Sequence, residues 1–488
     1  MAERSRPLAE QTTRRLIYAL VAVSVAHAVS PLILRGVHSA LGWDETVYVS
    51  QIDPHAVAER FTAPRARGLT LLTAPASLLS GSLVVLRVWM AILSGAGMFL
   101  AFLPWLRVRR SYVVPFAALM FSGLWVATYY SFEAMPNQYV AYGALAACGW
   151  LVMWMRRPDR RRWLGYAATA VAFTALMRPT DSLFLLVPLL AGVVLQRTLS
   201  RRTRVIASSL LIAGLLVGFA EWFVEAYVRF GGPLARFHQA SAENIGGLHW
   251  SLGAQMRVLA GPILCRGTCQ ATSPMADRIW WFAIPVFVGV GIWAARRHRA
   301  SAPYLIATGV GLTIAAQYVF AIGYAAPRFL EPTYALLALP AAEAVAWLWR
   351  RAGEGGRPVV FASLLVLGAA QGVTQLHLLR VNDHRLAVSA TRAELMADYL
   401  EDTGVSGPDC FVGGDEAGQI AFLDHCHVLA ARIPPAEQLT GDDTAVVIAP
   451  DATPPRSAVV SWPAHTLTEN SPVRGWTVWR ASVLDGQV

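Results

Sequence analysis

Lysine is missing altogether from the 488 residues, so all 41 basic residues are arginine. Any phosphate this chain holds must therefore be held by guanidinium groups, which bind it through bidentate, charge-assisted hydrogen bonds. Charge of either sign is also scarce. Charged residues make up 15% of the chain, against about 25% in soluble domains. Hydrophobic residues make up 55%, and mean hydropathy is +0.44. This balance excludes an ordinary soluble domain and implies a polytopic membrane protein. The net charge of +10 then calls for no nucleic-acid partner, because the positions of the arginines account for it. Internal repeats are missing too, which weighs against a transporter built from inverted halves.

What is present is a series of apolar runs. Runs of about 17–25 residues can cross a bilayer as helices, and eleven such stretches are expected: 16–34, 83–106, 112–130, 139–155, 163–177, 182–196, 205–226, 279–295, 303–324, 332–349 and 358–376. Arginine clusters separate them with a strict parity. They are Arg14 and Arg15, then RVRR at 107–110, RRPDRRR at 156–162, RTLSRRTR at 197–204, RRHR at 296–299 and RRAGEGGR at 350–357. All fall on one side of an eleven-span arrangement. Arginine-rich loops stay cytoplasmic because such charges resist translocation, so the expected N-terminus is cytoplasmic and the C-terminus external, in the cell membrane. The opening run superficially resembles a signal peptide ending in AHAVS, but its apolar character continues to Leu34. An uncleaved first helix is therefore expected.

Cysteine is scarce, with five residues in all. Cys148 lies inside a span, whereas Cys265, Cys269, Cys410 and Cys426 fall in segments the parity rule puts outside, where disulfides are permitted. Of the three possible connectivities, Cys265 with Cys269 and Cys410 with Cys426 is preferred, with four unpaired thiols as the alternative. A zinc site is disfavoured, because the close pair has no matching second pair. No metal site and no cofactor is assigned, and a divalent-metal requirement is left open.

The expected organisation is a membrane module over 1–376 and an external α/β domain over 377–488. The module carries two long external loops, 35–82 and 227–278. In the first, PHAVAERFTAP suits short interfacial helices. In the tail, CFVGG, AVVIAP and WTVWRASV read as strands, while TRAELMADYLED and AGQIAFLDHC read as helices.

The external face gathers the chemistry. Loop one offers Asp44, Glu45, Arg65 and Arg67. The loop after the third span offers Glu133 and Asn137, the next external loop Arg178 and Asp181, and the loop after the ninth span Tyr324, Arg328 and Glu331. Charge near lipid is costly, so these groups should line a polar cavity or pair with one another. Arg178 with Asp181, or Arg328 with Glu331, could be structural pairs, and Asp44 could simply be a loop or helix-capping acid. Glu221 and Glu225, four apart, share one helix face. A cavity with arginines and carboxylates beside lipid suits a lipid-linked sugar phosphate. Arginine would hold the phosphate and stabilise its charge on departure, and a carboxylate would deprotonate an acceptor hydroxyl.

A first external loop beginning W-D-E, followed by APRARGLTLLTAP and much later by PRFLEPTYALLALP, resembles the GT-C class of membrane glycosyltransferases. The similarity extends to bacterial aminoarabinose transferases, protein O-mannosyltransferases and actinobacterial relatives. It implies a polyprenyl-phosphate monosaccharide donor, a glycan, lipid or protein acceptor, and an external C-terminal domain. It also implies Asp44 as the base, with Glu45 as the adjacent acid. Relatives often carry a His-Pro-Pro turn after the acidic pair, where this chain has APRARG at 63–68. The donor phosphate would then fall to Arg65, Arg67 and Arg328, with Glu133, Asn137, Arg178 and Tyr324 as further substrate-binding residues. The alternatives are a transporter or flippase of lipid-linked sugars, and a non-enzymatic cell-envelope assembly protein.

Overall fold

The computed structural model describes residues 2–267, 269, 274–298, 300–429, 444–450, 464–468 and 472–482. The eleven apolar stretches fall largely on helix, although 303–324 runs past the helix end at Phe320. Among the described residues, six helices are long and apolar enough to cross a membrane: Gln11–Leu34, Leu83–Val108, Arg201–Arg229, Met275–Arg297, Ala302–Phe320 and Gly353–Asp402. Only helices and closed barrels satisfy every backbone group inside hydrocarbon, and the lipid-compatible faces are visible in exposed side chains such as Val359, Phe361, Leu365 and Val373. The chain is a multi-pass helical membrane protein.

The stretch 112–130 is not one helix. It breaks at Gly123 into Val113–Ser122 and Trp125–Tyr130. The break is held from elsewhere, since the Trp125 backbone N–H donates to Gln375 and its indole to the Leu259 carbonyl. The stretch 358–376 is instead part of a 50-residue helix, Gly353–Asp402, which also contains the helical segment expected at the start of the tail.

The chain divides into two compact units. Residues 1–36, 62–69 and 90–382 form the first, and residues 37–61, 70–89 and 383–488 the second. In the first unit, Gly68 packs its backbone onto the end of the helix Arg161–Met177; a Cβ there would collide with the Leu176 carbonyl. The same unit carries a clamp around the buried Glu343. Glu343 accepts from Arg109 at 3.0 Å, from Arg350 at 2.8 Å and from the Tyr304 hydroxyl at 2.9 Å.

The second unit contains a five-stranded sheet. Its strands are β1 (Cys410–Gly414), β2 (His427–Val428), β3 (Thr444–Ala449), β4 (Ala464–Thr466) and β5 (Thr477–Ser482), in the order β2-β1-β3-β5-β4. β1 pairs in parallel with β2 and β3, while β5 runs antiparallel to β3 and β4. Val412, Val446, Ile448 and Val478 pack against Met396, Leu400 and Ile420 from the flanking helices. Loop one adds two helices to this unit. Trp43–Val49 lies wholly within it and Gly68–Leu79 mostly so. The stretch 53–64 is not helical. There Asp53 instead turns the chain by accepting the His55 backbone N–H, a local bond that competes with helix.

Candidate functional site

In the second unit the acidic pair is split between two environments. Gly42 precedes the helix Trp43–Val49 in an extended conformation, and the Glu45 carboxylate reaches back to its N–H at 2.9 Å. This satisfies one of the orphan donors of a helix start. Arg87 then grips Glu45 in a fork, Nη1 to Oε1 at 2.6 Å and Nη2 to Oε2 at 3.0 Å. Arg87 also donates to the Ser39 and Ala40 carbonyls. Both side chains of the pair are almost fully buried, and an arginine one turn into an apolar helix requires such a partner. Asp44 is half-buried and sits about 100° round the same helix from Glu45 by helical geometry. Glu45 therefore fixes the helix that presents Asp44. Loop one is tied to the C-terminal elements by Gln419, which donates to the Leu41 carbonyl at 2.8 Å, and by Gly418, where a Cβ would press on the Trp43 ring at 2.9 Å.

In the first unit three of the short loops converge. Arg178 lies 3.4 Å from Asp181 and donates to the Asn137 side-chain oxygen at 3.4 Å. Asp181 is fully buried and also accepts from the Tyr318 hydroxyl, at 2.7 Å, and from Gln317, at 3.0 Å. The Arg178 guanidinium stands 5.8 Å from the centre of the Phe329 ring and the Arg328 guanidinium 5.6 Å from the same centre. Two cations are thus gathered around one aromatic ring, each within cation–π range. Arg328 is buried, donates to the Ile263 carbonyl at 3.3 Å, and lies 5.9 Å from the centre of the Tyr130 ring. Glu331, one turn on, is fully buried with no hydrogen-bond partner for either oxygen among the described residues.

Glu133 is a different case, since it forms a buried ion pair with Arg35 at 2.9 Å. Arg35 also donates to the Tyr129 carbonyl at 2.6 Å and lies 3.8 Å over the Tyr129 ring. Tyr324 donates to the Asn244 side chain at 3.1 Å, and Arg266 lies 4.7 Å from the centre of its ring. The Tyr324 segment is braced by the Cys265–Cys269 disulfide, because Cys265 and Ala325 exchange backbone hydrogen bonds at 2.8 and 3.0 Å. In the second unit Cys410 and Cys426 are bonded, and in the first Cys148 is a buried free thiol.

Arg65 and Arg67 occupy a separate network of the first unit. Arg67 donates through Nε and Nη2 to Glu225, the latter at 2.6 Å, and its backbone N–H donates to Glu221. Arg65 donates to the Thr62 hydroxyl at 2.9 Å. Both are held by the fully buried Arg236, which binds the Arg65 carbonyl at 2.9 Å and Glu225 at 2.8 Å. Sequence reasoning missed Arg35, Arg87 and Arg236. The signal for Arg87 was available, as it is a lone charge inside SLVVLRVWM. Arg35 and Arg236 lie in loop sequence where an arginine is unremarkable. No group of three or more His, Cys, Asp or Glu side chains arranged for a metal occurs among the described residues.

This architecture is that of the GT-C fold, a helical membrane body with a small C-terminal sheet. Crystal structures of ArnT from Cupriavidus metallidurans resemble it along nearly the whole chain. The undecaprenyl phosphate complex superposes with a TM-score of 0.62 at 14% identity, covering 94% of this chain and 97% of that one. The apo state gives 0.58 at 14% identity over 95% and 98%. The oligosaccharyltransferase of Archaeoglobus fulgidus, solved with zinc and sulfate, gives 0.54 at 15% identity over 88% of this chain and 67% of that one. No protein-family model matches the chain, and no curated protein matches it in sequence.

Proposed function

We propose that this chain is a membrane glycosyltransferase that moves a monosaccharide from a polyprenyl-phosphate donor to an acceptor hydroxyl on the external face, with inversion at the anomeric carbon. In this reading the N-terminus is cytoplasmic and the C-terminal domain external, as the arginine parity indicates. The observation that carries the proposal is the pair of guanidiniums around Phe329. Two like charges gathered in a low-dielectric setting favour an anion between them. Asp181 meets Arg178 and also accepts from the Tyr318 hydroxyl and Gln317, so it is held in place beside the guanidiniums. A fold shared with a protein crystallised with undecaprenyl phosphate supports a lipid phosphate as that anion.

Asp44 is the base. Its carboxylate takes the proton of the acceptor hydroxyl, the acceptor oxygen forms a bond to the anomeric carbon, and the bond from that carbon to the phosphate oxygen breaks. The electron pair leaves on polyprenyl phosphate. Arginine stabilises the charge that develops there, and preorganised electrostatics of this kind usually supply most of an enzyme's rate enhancement. Arg328 and Arg178 are the phosphate ligands favoured by their surroundings. Arg65 is the further candidate, and Arg67, with its Glu225 partner, positions the segment that carries Arg65.

The test is transfer of radiolabelled sugar from polyprenyl phosphate by the purified chain, with binding of unlabelled polyprenyl phosphate measured alongside. Arg328→Ala removes charge-assisted hydrogen bonds of about 1.5–3 kcal/mol, a loss of roughly tenfold to a hundredfold in lipid-phosphate affinity. Unchanged affinity in both Arg328→Ala and Arg178→Ala contradicts the phosphate assignment.

A further inference from the structure

The second unit contains a cavity of about 200 Å³, walled by loop one, the start of the helix Leu83–Val108, the C-terminal part of the helix Gly353–Asp402 and the helix Ala417–Leu423. Its lining is mixed. Aliphatic side chains and Phe422 form one part, while the hydroxyls of Thr46, Ser77 and Ser80 and the carboxylates of Asp53 and Glu394 supply the polar groups. No arginine or histidine is among the described lining residues. Its walls are already tied together by the Gln419 bond to Leu41, so the cavity is formed without a ligand.

Three physical constraints select the occupant. Two carboxylates with no cation in the lining repel phosphate and other anions, which excludes the donor's head group. A hydrocarbon chain would strip water from these hydroxyls and carboxylates, of which Thr46 and Asp53 have one bond each, to the Trp43 carbonyl and from the His55 N–H, at a cost in free energy. A lining that mixes apolar side chains with hydroxyl and carboxylate acceptors matches a sugar ring, which presents C–H faces and a rim of O–H donors. Size agrees, since a cavity of roughly 150 Å³ is enough for a benzene ring. We infer that this cavity binds one neutral monosaccharide ring of the acceptor. The inference rests on the glycosyltransfer reading and names its acceptor class as a glycan. Thr46 lines the cavity two residues beyond Asp44 on the same helix, so a ring held there is anchored against the element that carries the base.

The experiment is saturation-transfer NMR on the full chain in detergent, with methyl glycosides of neutral hexoses and pentoses as probes and a sugar phosphate and decanoate as competitors. The expected result is saturation of a neutral glycoside, and no displacement by the sugar phosphate. Two variants locate the binding. Ser80→Trp fills the cavity from a half-buried position, and Asp53→Asn with Glu394→Gln removes the acceptor charge at a half-buried and an exposed position. Each is expected to weaken binding roughly tenfold or more. The inference is overturned if no neutral glycoside saturates the protein, if the double variant binds as the parent does, or if decanoate is the tighter ligand. Turnover of labelled polyprenyl-phosphate sugar is measured on the same preparation. Glycoside binding without turnover overturns the parent reading and leaves the cavity, whereas turnover without glycoside binding does the reverse.

Discussion

Arg87 and Glu45 meet through two parallel hydrogen bonds of 2.6 and 3.0 Å, both side chains out of water. Removing one partner of such a pair strands a buried charge and costs about 3–5 kcal/mol, whereas replacing both with apolar residues costs far less. Arg87→Ala is therefore expected to lower the thermal midpoint in detergent by several degrees and to abolish transfer. The double variant Arg87→Leu with Glu45→Leu should recover most of the stability but not the activity. Equal midpoints for Arg87→Ala and the parent contradict the assignment of Glu45 as an anchor.

Tyr318 acts through Asp181. Its hydroxyl satisfies a fully buried carboxylate, and Tyr318→Phe leaves that acceptor short by one donor, a cost of about 1–3 kcal/mol. Asp181 should compensate by drawing on Arg178 more strongly, at the expense of the phosphate. The expected readout is a raised KM for the polyprenyl donor with a smaller change in kcat. A change in kcat alone contradicts it.

The Glu343 clamp binds Arg109, Arg350 and Tyr304 and takes no part in the proposed chemistry. Glu343→Gln should reduce stability by about 1–3 kcal/mol, because the bonds it weakens go to arginines that are 40% and 42% exposed. It should leave the donor KM of the folded fraction unchanged, as measured by initial rates normalised to folded protein.

Asp424, just after the helix Ala417–Leu423, is pushed up from an ordinary value of 3.8 to about 7, first by burial and then by Glu401 and Asp398. Folding therefore takes up a proton at this group between those two values. The proton-linked stability is fully present below about pH 4 and is lost as pH rises through about 7. Unfolding of the C-terminal sheet, followed by tryptophan fluorescence, should occur at lower denaturant at pH 8 than at pH 5.5. Asp424→Asn should flatten that difference, and a parent protein equally stable at both values contradicts it.

Much of this molecule was legible in its sequence because lipid is a severe solvent. Apolar run length and arginine spacing located helix in most of each expected stretch, and CFVGG, AVVIAP and WTVWRASV located three of the five strands among the described residues. Breaks were less legible. Gly123 ends a helix that hydropathy alone would continue, because the deciding bonds come from Gln375 and Leu259, far along the chain. The partners of the loop acids were least legible. Glu133 with Arg35 and Glu225 with Arg236 are set by tertiary contacts across 98 and 11 positions, and neither pair has a local motif. Asp44 and Glu45 are adjacent and chemically alike, so nothing local marks Glu45 as the one that Arg87 holds.

Asp44→Asn, expressed and folded as the parent and assayed for transfer of radiolabelled sugar from polyprenyl phosphate, tests the central claim most directly. The substitution keeps the shape and removes the base, so transfer should fall by about 10²–10⁴-fold while polyprenyl-phosphate binding persists. Retention of full transfer activity by Asp44→Asn contradicts the account.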